Sequence, residues 1–163
     1  MTGINYEKEV KDIINDFTKK FGCRALPAHA LGLSEFYYCV PIETVVYVYK
    51  FCPRFKQDRD FMNSVKMHNP KVKLNHFMWA LLHEVGHHMT EDTFDEEEKD
   101  RINKKRWRVM KTQAIHPYYK LADEWAATEW AVTYANTHAE EVKNLWKKIN
   151  ALTEGYVTGR ETA

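Results

Sequence analysis

The sequence predicts an α+β fold dominated by helices, with a small sheet containing an antiparallel pair placed early in the chain. Three observations predict it. Long stretches place apolar residues three and four apart, the period of a helix with one buried face. β-branched and aromatic residues instead crowd into two short runs, FYYCV (36–40) and TVVYVYKF (44–51). After these runs comes HFMWALLHEVGHHMT (76–90), an apolar helix that carries four histidines.

Taken in order, residues 5–21 read as an amphipathic helix through Val10, Ile13, Ile14, Phe17 and Phe21, with Gly22 as its left-handed stop. RALPAHALGLSEF reads as a loop. The two β-rich runs, joined by PIE, read as an antiparallel hairpin closed by Pro53. Residues 56–67 read as a short helix and HNPKVK as a turn. Asn75 is the expected N-cap of the 76–90 helix. TFDE (93–96) reads as a capping box that opens a charged helix to about Thr112. Pro117 is expected in the first turn of a helix running to about Asn136. THAE (137–140) reads as a second capping box, opening a helix to about Leu152. Gly155 and Gly159 mark a frayed tail from about residue 153.

The bulk numbers narrow the function classes. A chain of 163 residues is the size of one domain and can bury a core without disulfides or a structural metal. A metal here would therefore serve function. Lys and Arg total 24 against 23 Asp and Glu, a net charge of +1, which gives no basic surface for nucleic acid. In FDEEEKDRINKKRWR acid and base nearly cancel, as on a solvated helix. Three cysteines, Cys23, Cys39 and Cys52, form no Cys-x-x-Cys pair, which fits free, mostly buried thiols in a reducing compartment. The opening MTGINYEKEVKDII lacks a basic segment followed by an apolar run, and no stretch nears the ~20 apolar residues of a membrane span. A cytoplasmic protein without a membrane partner is expected.

His83-Glu84-Val85-Gly86-His87 carries the chemistry. Positions i and i+4 lie one turn apart on one helix face, so His83 and His87 can grip one metal ion. Imidazole nitrogen with carboxylate oxygen suits Zn²⁺. Glu84 lies about 100° further round the helix. It can take a proton from a water activated by the ion without being a ligand. Gly86, without a Cβ, allows close approach of another backbone or a substrate. His88 lies off the metal face. His76 shares that face but sits about 10 Å along the axis.

Four residues compete for the third ligand: His116, Glu124, Glu129 and His138. Glu124, Ala127 and Ala131 share one face of the predicted helix, and small residues there let two helices approach. That arithmetic favours Glu124. Glu129 lies about 140° away from it. Thr90 and Thr93 stand where a metzincin would carry glycine and histidine, which excludes that class.

HEVGH followed by EWAATEWA resembles the gluzincin pattern, and E-x-x-A-x-x-W-A is similar to the E-x-x-A-x-x-F-A run of ImmA/IrrE-type metallopeptidases. The resemblance covers roughly residues 5–136. It implies a zincin-like fold with Zn²⁺ held by His83, His87 and Glu124, and Glu84 as the general base. It also implies a protein substrate, often a transcriptional repressor of a bacterium, phage or mobile element. The sequence departs from that pattern at Trp130 and in the longer charged stretch between the motifs. It departs again at Thr128, where related gluzincins often carry Asp; Asp123 is the remaining candidate partner for a zinc histidine.

Zincin peptidases commonly lay substrate along an edge strand; TVVYVYKF is either that strand or an interior one whose apolar residues face the core. His116, Tyr118, Tyr119 and His138 are candidates to steady a developing oxyanion. Two other classes stay open: a non-catalytic zinc-binding interaction module, and a metal hydrolase acting on a non-peptide amide. An intact Glu84 argues against the first.

Overall fold

The computed structural model describes residues 6–33, 35–48, 56–112 and 115–153. Helix α1 (Tyr6–Lys19) buries Val10, Ile14 and Phe17, the face its spacing predicts. Gly22, at φ 84°, turns the chain in the left-handed conformation that an L side chain rarely adopts. Strand β1 (Arg24–Pro27) follows, in a segment expected to be loop. It forms because Asn15 pairs with Ala25 on one side, through two bonds of 2.9 Å, while β3 pairs with it on the other.

Strand β2 (Tyr37–Cys39) and strand β3 (Thr44–Tyr47) form the expected hairpin through a short 3₁₀ turn, with Glu43 left-handed at φ 46°. The strand order is β1-β3-β2, with β1 parallel and β2 antiparallel to β3. Of the two readings of TVVYVYKF, the structure selects the interior strand and excludes the substrate-binding edge. All four β3 residues are buried, and both of its edges are occupied. The end of that run and Pro53 lie outside the described residues.

Helix α2 (Lys56–Met67) and helix α3 (His76–Thr90) come next. Asn75 caps α3 as expected, its side chain accepting the Met78 N–H at 2.9 Å. Helix α4 (Glu96–Lys111) begins later than the TFDE motif predicts. Asp95 and Glu98 form the reciprocal box at 2.8 Å each way, while the Thr93 hydroxyl bonds the Thr90 carbonyl. The helix expected from Pro117 is two: α5 (Ile115–Tyr118) and α6 (Ala122–Thr137), separated at Leu121, whose backbone is extended. Helix α7 (Ala139–Thr153) closes the described chain. Thr137 is the last residue of α6, its hydroxyl turned back to the Thr133 and Tyr134 carbonyls, so the second capping box is not the one that opens α7. The tail carrying Gly155 and Gly159 lies outside the described residues.

The result is a helix-dominated α+β fold whose small mixed sheet precedes α3. That helix lies between the sheet and α6, and α1 packs against β1 and α7. Phe77 on α3 shows how the layers lock. It is fully buried, with its ring centroid 5.5 Å from Phe36, 6.4 Å from Tyr47 and 5.9 Å from Trp146. Each such burial contributes about 1.5–3 kcal/mol. Among the described residues no helix is long and apolar enough to cross a membrane.

Candidate active site

Helix α3 is buried continuously from Phe77 to Gly86, so His83 is set into the core and His87, half-buried, lies at its border. The close partner is α6. A Cβ at Gly86 would meet the Ala127 carbonyl oxygen at 2.3 Å, a distance no side chain tolerates. Ala127 and Ala131 are buried on the same face. The two backbones therefore touch, and Glu124, one turn before Ala127, is carried to the histidines.

There the ligand atoms converge. One carboxylate oxygen of Glu124, Oε2, lies 2.9 Å from His83 Nε2 and 3.3 Å from His87 Nε2. One donor atom from each of the three residues falls within 4.8 Å of the others. Two imidazole nitrogens and a carboxylate oxygen converge, with His83 and Glu124 buried and His87 half-buried, and fit a zinc-type ion. This buried His83-Glu84-x-x-His87 plus distal Glu124 arrangement has the geometry of the gluzincin metal site.

The remaining atoms are also assigned. The Thr128 hydroxyl donates to the Glu124 carbonyl at 3.0 Å, so its oxygen is left to accept His83 Nδ1–H at 3.0 Å. That bond fixes the tautomer and leaves Nε2 facing Glu124, the nitrogen a metal would take. The expected partner, Asp123, does something else. Its Oδ1 accepts the Glu124 N–H at 2.9 Å, and its Oδ2 accepts from Arg106 of α4. Arg106 also donates to Glu124 Oε1 at 3.4 Å. Phe61 of α2 backs the His83 ring, with centroids 5.1 Å apart.

The electrostatics follow from burial and proximity. Burial alone would raise the Glu124 carboxyl, but His87 and His83 outweigh it and hold the group well below the usual carboxylate range. Burial alone would lower His87, yet the Glu124 carboxylate more than offsets this, and the imidazole is pushed up to about 9. Glu84 is buried and makes no such close pair. Burial pushes its carboxyl up, opposed by the charges of His83 and His87.

A cleft of about 1060 Å³ opens over these groups, with His83, Glu84, His87 and Glu124 in its lining. Tyr37 and Tyr38 of β2 line it, as do Ile102 and Arg106 of α4. Tyr118 and Tyr119 line it as well, and burial beside Glu124 pushes the Tyr118 phenol up. The other candidates lie elsewhere. Glu129 is exposed. His138 is exposed at the far end of α6, its ring stacked on Tyr134 at 4.2 Å. The His116 side chain lies outside the described residues. His88 joins three elements: its Nε2–H donates to the Phe21 carbonyl at 2.8 Å, and its Nδ1 accepts the Tyr38 hydroxyl at 2.6 Å. His76 reaches the Asp58 carbonyl at 3.2 Å.

Sequence reasoning missed Thr128 and Arg106. Thr128 had a usable signal, being one turn beyond Glu124 on the same face. Arg106 had none, because nothing local says which residue of a charged helix turns inward. Comparison of the chain with protein-family models, with curated proteins and with solved structures found no match.

Proposed function

We propose that residues 1–163 act as one zinc-dependent metallopeptidase domain that hydrolyses a peptide bond in a protein substrate. The observation that carries this is the convergence of His83, His87 and Glu124 beside a buried Glu84 at an open cleft. His83 and His87 would hold the ion through Nε2 and Glu124 through Oε2. When bound, zinc supplies a Lewis-acid centre that lowers the pKa of a water towards about 7 and polarises a carbonyl.

The chain's own groups do the rest. Glu84 accepts the proton of the attacking water and returns it to the leaving amine. Its raised proton affinity suits that shuttle, because a carboxylate in the ordinary range would hold the proton too weakly. Thr128 keeps His83 in the ligand tautomer. Tyr118 and Tyr119 line the cleft with Glu124 and are the candidates to donate an O–H to a developing oxyanion. The substrate strand pairs with β2, whose one sheet neighbour among the described residues is β3 and whose Tyr37 and Tyr38 line the cleft.

The motif pattern supports placement beside the ImmA/IrrE-type enzymes, and with it a transcriptional repressor as substrate. Free Cys23 and Cys39 support a cytoplasmic location. The test is cleavage of an unfolded protein such as casein, and of repressor proteins, by wild type and Glu84→Gln. Cleavage stopped by a chelator, restored by zinc and reduced about 10²- to 10⁴-fold in Glu84→Gln is expected. Equal cleavage by the variant would sink the assignment of the base.

A further inference from the structure

Arg106 comes from α4, a helix with no buried residue, yet its own side chain is only 20% exposed and reaches the floor of the cleft. Three of the five N–H donors of its guanidinium have protein acceptors. Nη1 donates to Asn103 Oδ1 at 2.8 Å. Nη2 has two hydrogens and two acceptors, Asp123 Oδ2 and, at 3.4 Å, Glu124 Oε1. Its Cζ lies 5.5 Å from the centroid of the Tyr118 ring. Asp123 in turn accepts the Glu124 backbone N–H at 2.9 Å. Arg106, Asp123 and Glu124 thus form a closed ring of contacts.

The two Glu124 oxygens are divided by that ring. Oε2 faces His83 and His87, and Oε1 faces Arg106. A guanidinium on the second oxygen disfavours turning both oxygens to one ion. We propose that Arg106 is a positioning residue that holds Glu124 as a one-oxygen metal ligand. This keeps the coordination sphere at three protein atoms with room for water and substrate. It also ties α4, the cleft wall, to metal occupancy: whatever Arg106 contributes to metal affinity, the metal returns to the docking of α4. The proposal rests on the metallopeptidase reading of the same site.

The test uses the full chain as wild type, Arg106→Gln, Arg106→Lys and the control Arg101→Gln, an exposed position on α4 paired with Glu97. Zinc affinity is measured by competition with a chromophoric chelator, and the visible spectrum of the cobalt(II)-loaded protein reports coordination number. Arg106→Gln is expected to weaken zinc binding about 10- to 100-fold. Its cobalt band should also lose intensity as the second carboxylate oxygen joins the ion. Arg106→Lys, which keeps charge and a donor, should recover part of the affinity, and Arg101→Gln should match wild type. A weaker affinity with an unchanged cobalt spectrum would reduce Arg106 to a structural role and overturn the proposal, as would an Arg106→Gln protein unchanged in both readouts. If Arg106→Gln fails to fold, Asp123→Asn removes the carboxylate that holds Arg106 and must show the same two changes. Wild type that takes up no metal would instead break the metallopeptidase reading itself.

Discussion

Helices α3 and α4 are nearly equal in length, at 15 and 16 residues, and are held in opposite ways. From Phe77 to Gly86, α3 buries ten successive residues; α4 buries none. The first is fixed by apolar burial on every side and by backbone contact with α6. The second is stabilised mostly within itself. Asp95 and Glu98 cap it, Glu96 to Glu98 face the positive end of its dipole, and Arg108 and Lys111 face the negative end. Pairs such as Asp100–Lys104, at 2.8 Å, support its exposed face. The contrast teaches where this molecule needs rigidity. The groups that would grip an ion sit where packing leaves them one position, while the wall that would meet a substrate is attached by charge.

The sharpest way to break this contrast is Gly86→Ala. The new methyl has no room against the Ala127 carbonyl, so α6 must shift and carry Glu124 with it. A loss of about 1–3 kcal/mol in urea unfolding is expected, together with loss of metal in elemental analysis. Thr128→Val comes next. It keeps the shape but leaves His83 Nδ1–H without its acceptor, at a cost of about 1–3 kcal/mol for a buried donor. Zinc affinity should fall about 10- to 100-fold in a chelator competition.

A smaller effect should appear in the pH dependence of the chelated protein. His87 is raised in the fold from its ordinary 6.5 to about 9 by Glu124. The stability this pair contributes is therefore fully present below about 6.5 and lost as pH rises through about 9. Glu124 is depressed, so its share is present above the ordinary carboxylate range and lost in acid. The melting temperature of the chelated chain should fall between neutral pH and about 9. The zinc-loaded chain, whose His87 holds no proton to lose, should fall less. At the other end of the scale, Trp107→Ala on α4 removes the most exposed large apolar side chain among the described residues, 66% accessible. It should change unfolding stability by no more than about 0.5 kcal/mol.

The same contrast sorts what could be read from the residues alone. Helix α3 was legible because everything that defines it is local: the Asn75 cap, the apolar run and the i, i+4 histidines. Glu124 was legible because the small residues Ala127 and Ala131 mark a face built for close contact. Strand β1 was not, since four residues ending in proline carry no period and owe their conformation to Asn15 and β3. The central place of β3 stayed open between edge and interior for the same reason: its second partner is β1, which looked like loop. The N-cap of α4 was ambiguous locally, because Thr93 and Asp95 both precede a glutamate by three. Arg106 turns inward because Asp123 and Glu124 wait on another helix, a fact written nowhere near it in the chain.

The central claim is that α3 and α6 together hold one metal ion through three named side chains. The most direct measurement is elemental analysis of wild type, Glu124→Ala, Glu129→Ala and Glu84→Gln, each purified without added metal and confirmed as folded by circular dichroism. One zinc per chain is expected in wild type, Glu129→Ala and Glu84→Gln, with its loss in Glu124→Ala. A folded wild type that holds no metal and takes up none when zinc is added would contradict it, and so would a Glu124→Ala protein that keeps its full complement.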